Sequence, residues 1–229
     1  MEDFKRYAVY AAPGPGPLAD FAAGWLGWDP VAGAVRPHPP VPGLPRPIAE
    51  LTAAPRKYGF HATLKPPFRL AEGSSRNSLE AAVAALAARR PAVVLDGLTL
   101  GRLGGFLALT PDGDTGALEA LASEVVTGLD HHRLPPSEAE LARRRAAGLT
   151  PRQEAHLARW GYPYVLDEFR FHYTLTGKLE PADTPDIEAV LAPILAPLVP
   201  RPFAVDALVL FGEDAAGRFH VLHRYVLAG

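Results

Sequence analysis

The sequence contains no cysteine among its 229 residues. This absence excludes disulfide bonds, thiolate zinc sites, iron–sulfur clusters and a cysteine nucleophile. Long apolar runs are also lacking, since no stretch reaches the roughly 18 residues that a membrane-spanning helix needs. The first ten residues, MEDFKRYAVY, include acidic residues at positions where a signal peptide is basic. We therefore expect a cytoplasmic protein that does not contact a membrane.

The chain has no excess of charge of either sign, because its formal net charge is −2. A broadly basic protein that coats nucleic acid is therefore not expected. Hydrophobic residues make up 48% of the chain and charged residues 21%, a balance typical of a globular domain that can bury its own core. Proline is concentrated over 36–47, which we expect to be an extended surface segment.

Two parts of the chain have the same order of predicted elements: strand, helix, strand and strand. The first has strands over 59–64, 92–100 and 105–110, and a helix capped by Asn77 or Ser78. The second has strands over 170–175, 203–211 and 218–227, and a helix capped by Thr184. A repeat of this kind indicates two lobes of similar architecture.

We therefore predict one α+β domain with two pseudo-symmetric lobes, each an antiparallel sheet with helices outside. The expected bounds are about 53–130 for the first lobe and about 166–229 for the second, which also takes in a strand over 5–11. A helical insert over about 131–165 separates the lobes. Its arginine run over 143–145 is expected to be a solvent-exposed helix face.

The motif Phe-His-x-Thr-Leu occurs twice, once around His61 and once around His172. Chance ordering of this composition predicts fewer than one His-x-Thr pair. Because side chains alternate along a strand, His61 and Thr63 share one face, and His172 and Thr174 share a face of the other strand. If the lobes pair symmetrically, both strands face a central cleft, where two imidazoles and two hydroxyls converge on one ligand.

Such a cleft suits the hydrolysis of a phosphodiester. One histidine can take a proton from the attacking water while the other protonates the leaving oxygen, because the ordinary pKa of histidine is about 6.5. The threonine hydroxyls can donate hydrogen bonds to the non-bridging phosphoryl oxygens. This scheme requires no metal ion and no cofactor. The candidate catalytic residues are His61 and His172, with base and acid interchangeable, and the candidate phosphate-binding residues are Thr63 and Thr174.

Further candidate substrate contacts flank the two motifs. Positive charge beside the cleft would attract an anionic substrate, and tyrosine rings would either pack in the protein or stack on the ligand. These candidates are Arg56, Lys57, Tyr58, Lys65, Arg170 and Tyr173, and Lys178 adds one more charge near the second motif.

The duplicated His-x-Thr strands resemble those of the 2H phosphoesterase superfamily, which includes cyclic phosphodiesterases and enzymes that process RNA 2′,3′-cyclic phosphates. The longer segments over 58–68 and 169–177 are similar to an uncharacterised bacterial branch whose genes accompany phosphonate-utilisation genes. The resemblance implies catalytic histidines and phosphate-binding threonines in both motifs. It also implies a hydrolase acting on a small phosphorylated substrate: a ribose cyclic phosphate of phosphonate metabolism, a nucleotide or an RNA end.

Three other functions use parts of the same sequence. A non-catalytic protein could bind a nucleotide or phosphorylated metabolite in the cleft, because catalytic competence depends on geometry within about an ångström. A metal enzyme could use the histidines as ligands, although the chain has no His-x-x-x-His or His-x-Asp pattern to complete the set. The segment over 14–19 formally fits the dinucleotide-binding pattern, but Pro15 and Pro17 lack the N–H donors that hold a pyrophosphate.

Overall fold

The computed structural model describes residues 4–229. Its helices are α1 (Pro17–Leu26), α2 (Ile48–Leu51), α3 (Arg76–Ala87), α4 (Gly116–Gly128), α5 (Glu138–Arg145), α6 (Pro151–Trp160) and α7 (Thr184–Leu195). Its strands are β1 (Arg6–Ala11), β2 (Trp28–Asp29), β3 (Ala34–Val35), β4 (Ala62–Phe68), β5 (Val93–Leu95), β6 (Gly97–Leu103), β7 (Phe106–Asp112), β8 (Tyr173–Thr174), β9 (Phe203–Val205), β10 (Ala207–Glu213) and β11 (Phe219–Val226). The predicted α+β class is confirmed.

Two antiparallel sheets form the two halves of the domain. The first has the strand order β11-β10-β1-β4, and the second has the order β6-β7-β8. The short strands β5 and β9 form an antiparallel pair that connects the two repeated parts of the chain. The proline-rich segment over 36–47 contains neither helix nor strand, as expected from the missing N–H groups of its prolines.

Each of the two sheets contains strands from both repeated parts of the chain. Strand β4, which follows His61, lies beside β1 in the sheet of β10 and β11. Strand β8, which begins directly after His172, pairs with β7 in the other sheet. The repeats have therefore exchanged their motif strands, and neither sheet is built from one continuous stretch. This differs from the expected lobe bounds of about 53–130 and about 166–229, while the N-terminal strand does pair with β10 as expected.

The first sheet has apolar side chains on both faces, because successive side chains of a strand alternate. Val9 and Leu210 belong to the main core, which α1, α3 and α4 cover. Tyr10, Phe211 and Phe219 lie on the other face in a smaller buried cluster. This second face carries the candidate site.

Some element ends differ from the prediction. Helix α3 is capped by Ser75, and Ser78 completes a capping box from the third helical position. Asp183, not Thr184, precedes α7. Strand β8 contains only two residues, so His172 lies just before it and not inside it. Helix α6 begins after the capping box of Thr150 and ends at a left-handed glycine, as predicted.

Candidate active site

The two His-x-Thr motifs meet at a cavity of about 630 Å³, which strands of both sheets line. His61 and Thr63 line it from the first sheet, and Phe106 and Thr174 from the second. His172 is not among the lining residues, but its ring centroid lies 5.7 Å from that of Phe106, which is. The tertiary structure therefore brings together residues that lie more than a hundred positions apart in the sequence.

His61 is held by its own backbone and by an aromatic ring. Its Nδ1 lies 2.9 Å from the carbonyl oxygen of Gly59, and its ring stacks on Tyr10 with 3.9 Å between centroids. Gly59 has a φ of 72°, and a Cβ there would approach Pro30 to 2.5 Å. Only glycine fits this turn, which aims the carbonyl at the imidazole.

His172 repeats this arrangement in the second motif. Its Nδ1 lies 2.7 Å from the carbonyl oxygen of Arg170, again two residues earlier. A neutral imidazole in this position carries its proton on Nδ1, so that Nε2 is left with a lone pair. Within residues 4–229, neither His61 nor His172 uses Nε2 in a hydrogen bond. Both Nε2 atoms can therefore accept or return a proton.

The surroundings of both histidines favour the neutral imidazole. Burial, together with the charge of His172, lowers the pKa of His61 to about 4, although the Gly59 carbonyl opposes this shift. Burial also lowers the pKa of His172, against the effect of the Arg170 carbonyl. The charge of a protonated His172 lowers the pKa of His61, so a proton on His172 disfavours a second proton on His61.

The threonines of the two motifs present hydroxyl groups to the cavity. Thr63 and Thr174 are both half-buried cavity residues. Neither hydroxyl is hydrogen-bonded to another residue in the described part of the chain. Thr176 also lines the cavity, but its Oγ1 accepts a hydrogen bond of 3.0 Å from the amide of Leu107. Two hydroxyls are therefore available to a ligand, and the third connects the segment after β8 to β7.

The cavity is lined by cations and, over the described residues, by no carboxylate. Since the whole chain has a net charge of −2, this concentration of positive charge is local. It favours the entry of anions. The cations are Arg6, Lys57, Arg143, Arg144 and Lys178.

Lys57, Tyr58 and Lys178 are the flanking candidates that line the cavity. The Nζ of Lys57 lies 4.9 Å from the centre of the Tyr58 ring. The Tyr58 ring in turn lies 5.7 Å from the ring of His61. Both side chains can therefore contact a ligand that is bound at His61.

Three other candidate substrate contacts, Arg56, Arg170 and Tyr173, are not among the residues that line the cavity. Arg56 donates hydrogen bonds to backbone carbonyls, among them that of Leu26 at 2.9 Å. Arg170 is exposed to solvent. Tyr173 is buried and stacks on Phe60, with 4.9 Å between the ring centroids. The structure favours packing or solvent-exposed roles for these three residues.

A β-bulge turns Lys65 away from the cavity. Thr63 pairs with Tyr10, but Lys65 pairs with the preceding residue of β1, Val9. Strand β4 thus has one extra residue here, and the regular alternation of faces is lost. The Nζ of Lys65 is buried and donates a hydrogen bond of 2.9 Å to the carbonyl of Val126, and burial lowers its pKa to about 8. Lys65 therefore connects β4 to α4, contrary to the expected substrate contact.

Several cavity residues were not identified from the sequence as site residues. The arginine run over 143–145 was visible, but only the placement of α5 brings two of its members to the cavity. The aromatic residues gave no signal, because their types are equally typical of a core. The missed residues are Arg6, Tyr10, Phe106, Arg143, Arg144 and Tyr162.

Three further features bear on the other functions and on membrane contact. Over residues 4–229, no group of three or more His, Asp or Glu side chains could hold a metal ion. Helix α1 begins at Pro17, which has no N–H to offer a pyrophosphate. In the same part of the chain, we find no helix with the length and apolarity needed to cross a membrane.

Residues 63–220 match the model of a family described as "Protein of unknown function (DUF1045)". The ribose 1,5-bisphosphate phosphokinase PhnN of Janthinobacterium sp. (strain Marseille) is 41% identical over 222 residues, covering 94% of this chain and 49% of that protein. This chain spans about half the length of the curated relatives it matches.

Among solved structures, E. coli LigT complexed with 3′-AMP is 19% identical with a TM-score of 0.46, covering 99% of this chain and 100% of LigT. A structure described as a phosphoesterase is 16% identical with a TM-score of 0.43, covering 98% and 99% of the two chains. The family match covers more than half of this chain, which therefore belongs to the DUF1045 family of unknown function, in keeping with the uncharacterised branch expected from the motifs.

Proposed function

We propose that this protein is a two-histidine phosphoesterase that hydrolyses a cyclic or RNA-type phosphodiester without a metal ion. The observation that carries the proposal is the duplicated geometry of the two motifs. Each supplies a threonine hydroxyl at the cavity and an imidazole whose Nδ1 is bonded to the carbonyl two residues earlier. Two such units on strands of different sheets suit acid–base chemistry on one ligand.

In the proposed reaction, water attacks the phosphorus and gives its proton to Nε2 of His61. The bond from phosphorus to the leaving oxygen breaks, and His172 donates its Nε2 proton to that oxygen. The products are a phosphomonoester and a free hydroxyl group. His61 is the base because burial and the charge of His172 keep it deprotonated, and each proton transfer contributes about 10²- to 10⁴-fold to the rate.

The threonines and lysines act on the phosphoryl oxygens. Thr63 and Thr174 donate hydrogen bonds to the two non-bridging oxygens, which carry more negative charge in the transition state. Lys57 and Lys178 line the same cavity and attract the anionic substrate. These four residues bind and orient the phosphodiester between the two histidines.

A ribose cyclic phosphate is the substrate class that we favour. The net charge of −2 gives no extended basic track for long RNA. The curated relatives are named ribose 1,5-bisphosphate phosphokinase, and opening a cyclic phosphate of ribose would yield a ribose phosphate. The phosphonate context implied by the sequence resemblance is consistent with that product.

The proposal is tested with a panel of 2′,3′-cyclic nucleotides and ribose cyclic phosphates in the presence of EDTA. We expect at least one substrate to be converted into a phosphomonoester, with turnover unaffected by the chelator. Activity that EDTA abolishes and a divalent metal restores would identify a metal enzyme instead. Binding of the panel compounds without any turnover would identify a non-catalytic phosphometabolite-binding protein.

The pH profile of kcat/KM should be bell-shaped and centred below neutral pH. On the acidic side, kcat/KM should rise through about pH 4 as His61 in the free enzyme loses its proton. On the alkaline side, it should fall at a pH below 6.5, because burial lowers the pKa of the proton donor His172. The measurement is kcat/KM from pH 3.5 to 8.5 in buffers of constant ionic strength. An alkaline limb well above pH 7 would contradict His172 as the acid.

A further inference from the structure

We propose that the arginines at the end of α5 form a second anion subsite in the same cavity. This subsite would bind a phosphomonoester group that the substrate carries apart from its reacting phosphodiester. The inference rests on the proposed function and narrows its substrate class to a small sugar or nucleoside with two phosphoryl groups.

The first support is the position of the two arginines. Arg143 and Arg144 line the cavity that also holds His61. Over residues 4–229, neither arginine forms an ion pair, whereas the next residue, Arg145, pairs with Glu154 at 2.7 Å. Two positive charges of the inserted helix therefore line the cavity, and neither has an ion-pair partner among the described residues.

The nearby carboxylates are engaged elsewhere. Glu140, one turn earlier on α5, forms an ion pair of 2.7 Å with Arg69. Glu213 accepts two hydrogen bonds from Arg6, at 2.5 and 2.8 Å. Arg6 at the cavity wall is therefore neutralised, and the two arginines of α5 add to the unpaired positive charge of Lys57 and Lys178 in the same cavity.

The second support is the state of the Arg144 side chain. Its Nε is shielded from solvent and has no hydrogen-bond partner among the described residues. Its guanidinium carbon lies 4.7 Å from the centre of the Tyr162 ring, which holds the planar group against an aromatic face. Burial, together with the positive charges of Arg143 and Arg6, lowers the pKa of Arg144, although Tyr162 and the carboxylate of Glu140 oppose this shift. A guanidinium with unused donors binds a phosphate group through two parallel hydrogen bonds.

The balance of charge indicates what kind of group binds there. A cyclic phosphodiester carries one negative charge, which the threonine hydroxyls and the proton on His172 can meet. A phosphomonoester carries a charge of about −1.5 to −2 at neutral pH, which two arginines can neutralise. A nucleobase in the same place is uncharged and would leave both guanidinium groups uncompensated. The observations therefore favour a second phosphoryl group over a base.

The test compares each cyclic phosphate with the same compound carrying a 5-phosphate. We expect the wild-type kcat/KM to be about 10- to 100-fold higher for the 5-phosphorylated compound, since hydrogen bonds between charged groups have this effect. In the double variant Arg143→Gln with Arg144→Gln, this ratio should fall towards one. Arg145→Gln is the matched control, because Arg145 lies on the same helix turn outside the cavity, and its ratio should equal that of the wild type. A ratio that is the same in the double variant and in the wild type would overturn the subsite.

A binding measurement separates this inference from the proposed function. Calorimetric titration with ribose 5-phosphate and with ribose requires no turnover. If no cyclic phosphate is hydrolysed, the proposed function fails. The subsite is then still supported if the double variant weakens binding of ribose 5-phosphate at least about tenfold and Arg145→Gln does not. Equal affinity in all three proteins would overturn it. The single variant Arg143→Gln replaces the double variant if the latter has a lowered Tm, because Arg143 is exposed.

Discussion

Replacing either histidine of the pair, as His61→Ala or His172→Ala, is expected to lower kcat/KM for the best cyclic phosphate by at least about 10²-fold. Each change removes one of the two Nε2 atoms that transfer protons in the proposed reaction. The double variant should be little worse than either single variant, because the two groups act as one unit. Steady-state kinetics in EDTA measures all three effects.

His223→Ala is the matched control for these variants. His223 lies on β11, is exposed to solvent and does not line the cavity. The kcat/KM of the His223→Ala variant should remain within about twofold of the wild type, because a side chain away from the cavity contributes to no proton transfer. Circular dichroism and the Tm of each variant show whether the fold is retained. A folded His61→Ala or His172→Ala protein with nearly wild-type turnover would disprove the two-histidine mechanism.

Trp25→Ala is expected to lower the free energy of unfolding by about 3–5 kcal/mol, the range for removing a buried tryptophan. Trp25 lies on α1 in the main core and is fully buried. Its indole Nε1 donates a hydrogen bond of 2.8 Å to the carbonyl of Leu175, next to the motif residue Thr174. The substitution leaves a cavity and also an unpaired buried carbonyl beside the site. Urea denaturation followed by circular dichroism measures the loss.

Trp160→Ala provides the comparison for this stability effect. Trp160 is the last residue of α6, is partly exposed and lies outside the main core. It contacts Arg159, whose guanidinium carbon lies 4.5 Å from its ring. We expect a loss below about 1 kcal/mol, because little apolar surface is re-exposed. Equal losses for the two variants would contradict the packing role assigned to Trp25.

The sequence by itself determined the features that depend on residues close to one another in the chain, such as helix ends and the faces of a strand. The capping box of Thr150 and Gln153 and the glycine at position 161 predicted both ends of α6 correctly, because each signal acts within a few residues of the helix end. The alternation of side chains along a strand placed His61 and Thr63 on one face, and both line the cavity. The duplication of the motif also indicated that two such faces would meet.

Only the tertiary structure decided which strands pair and what lies across the cavity. The motif strand β8 pairs Thr174 with Ala108 of the other repeat, the bulge in β4 turns Lys65 into the core, and α5 places Arg143 and Arg144 beside the histidines. The strand pairing, the bulge and the position of α5 depend on contacts between residues that are far apart in the chain. The energy of such contacts is spread over many pairs of residues. Caps and side-chain alternation, by contrast, are set by the residues that carry them, which is why they could be predicted and the pairing could not.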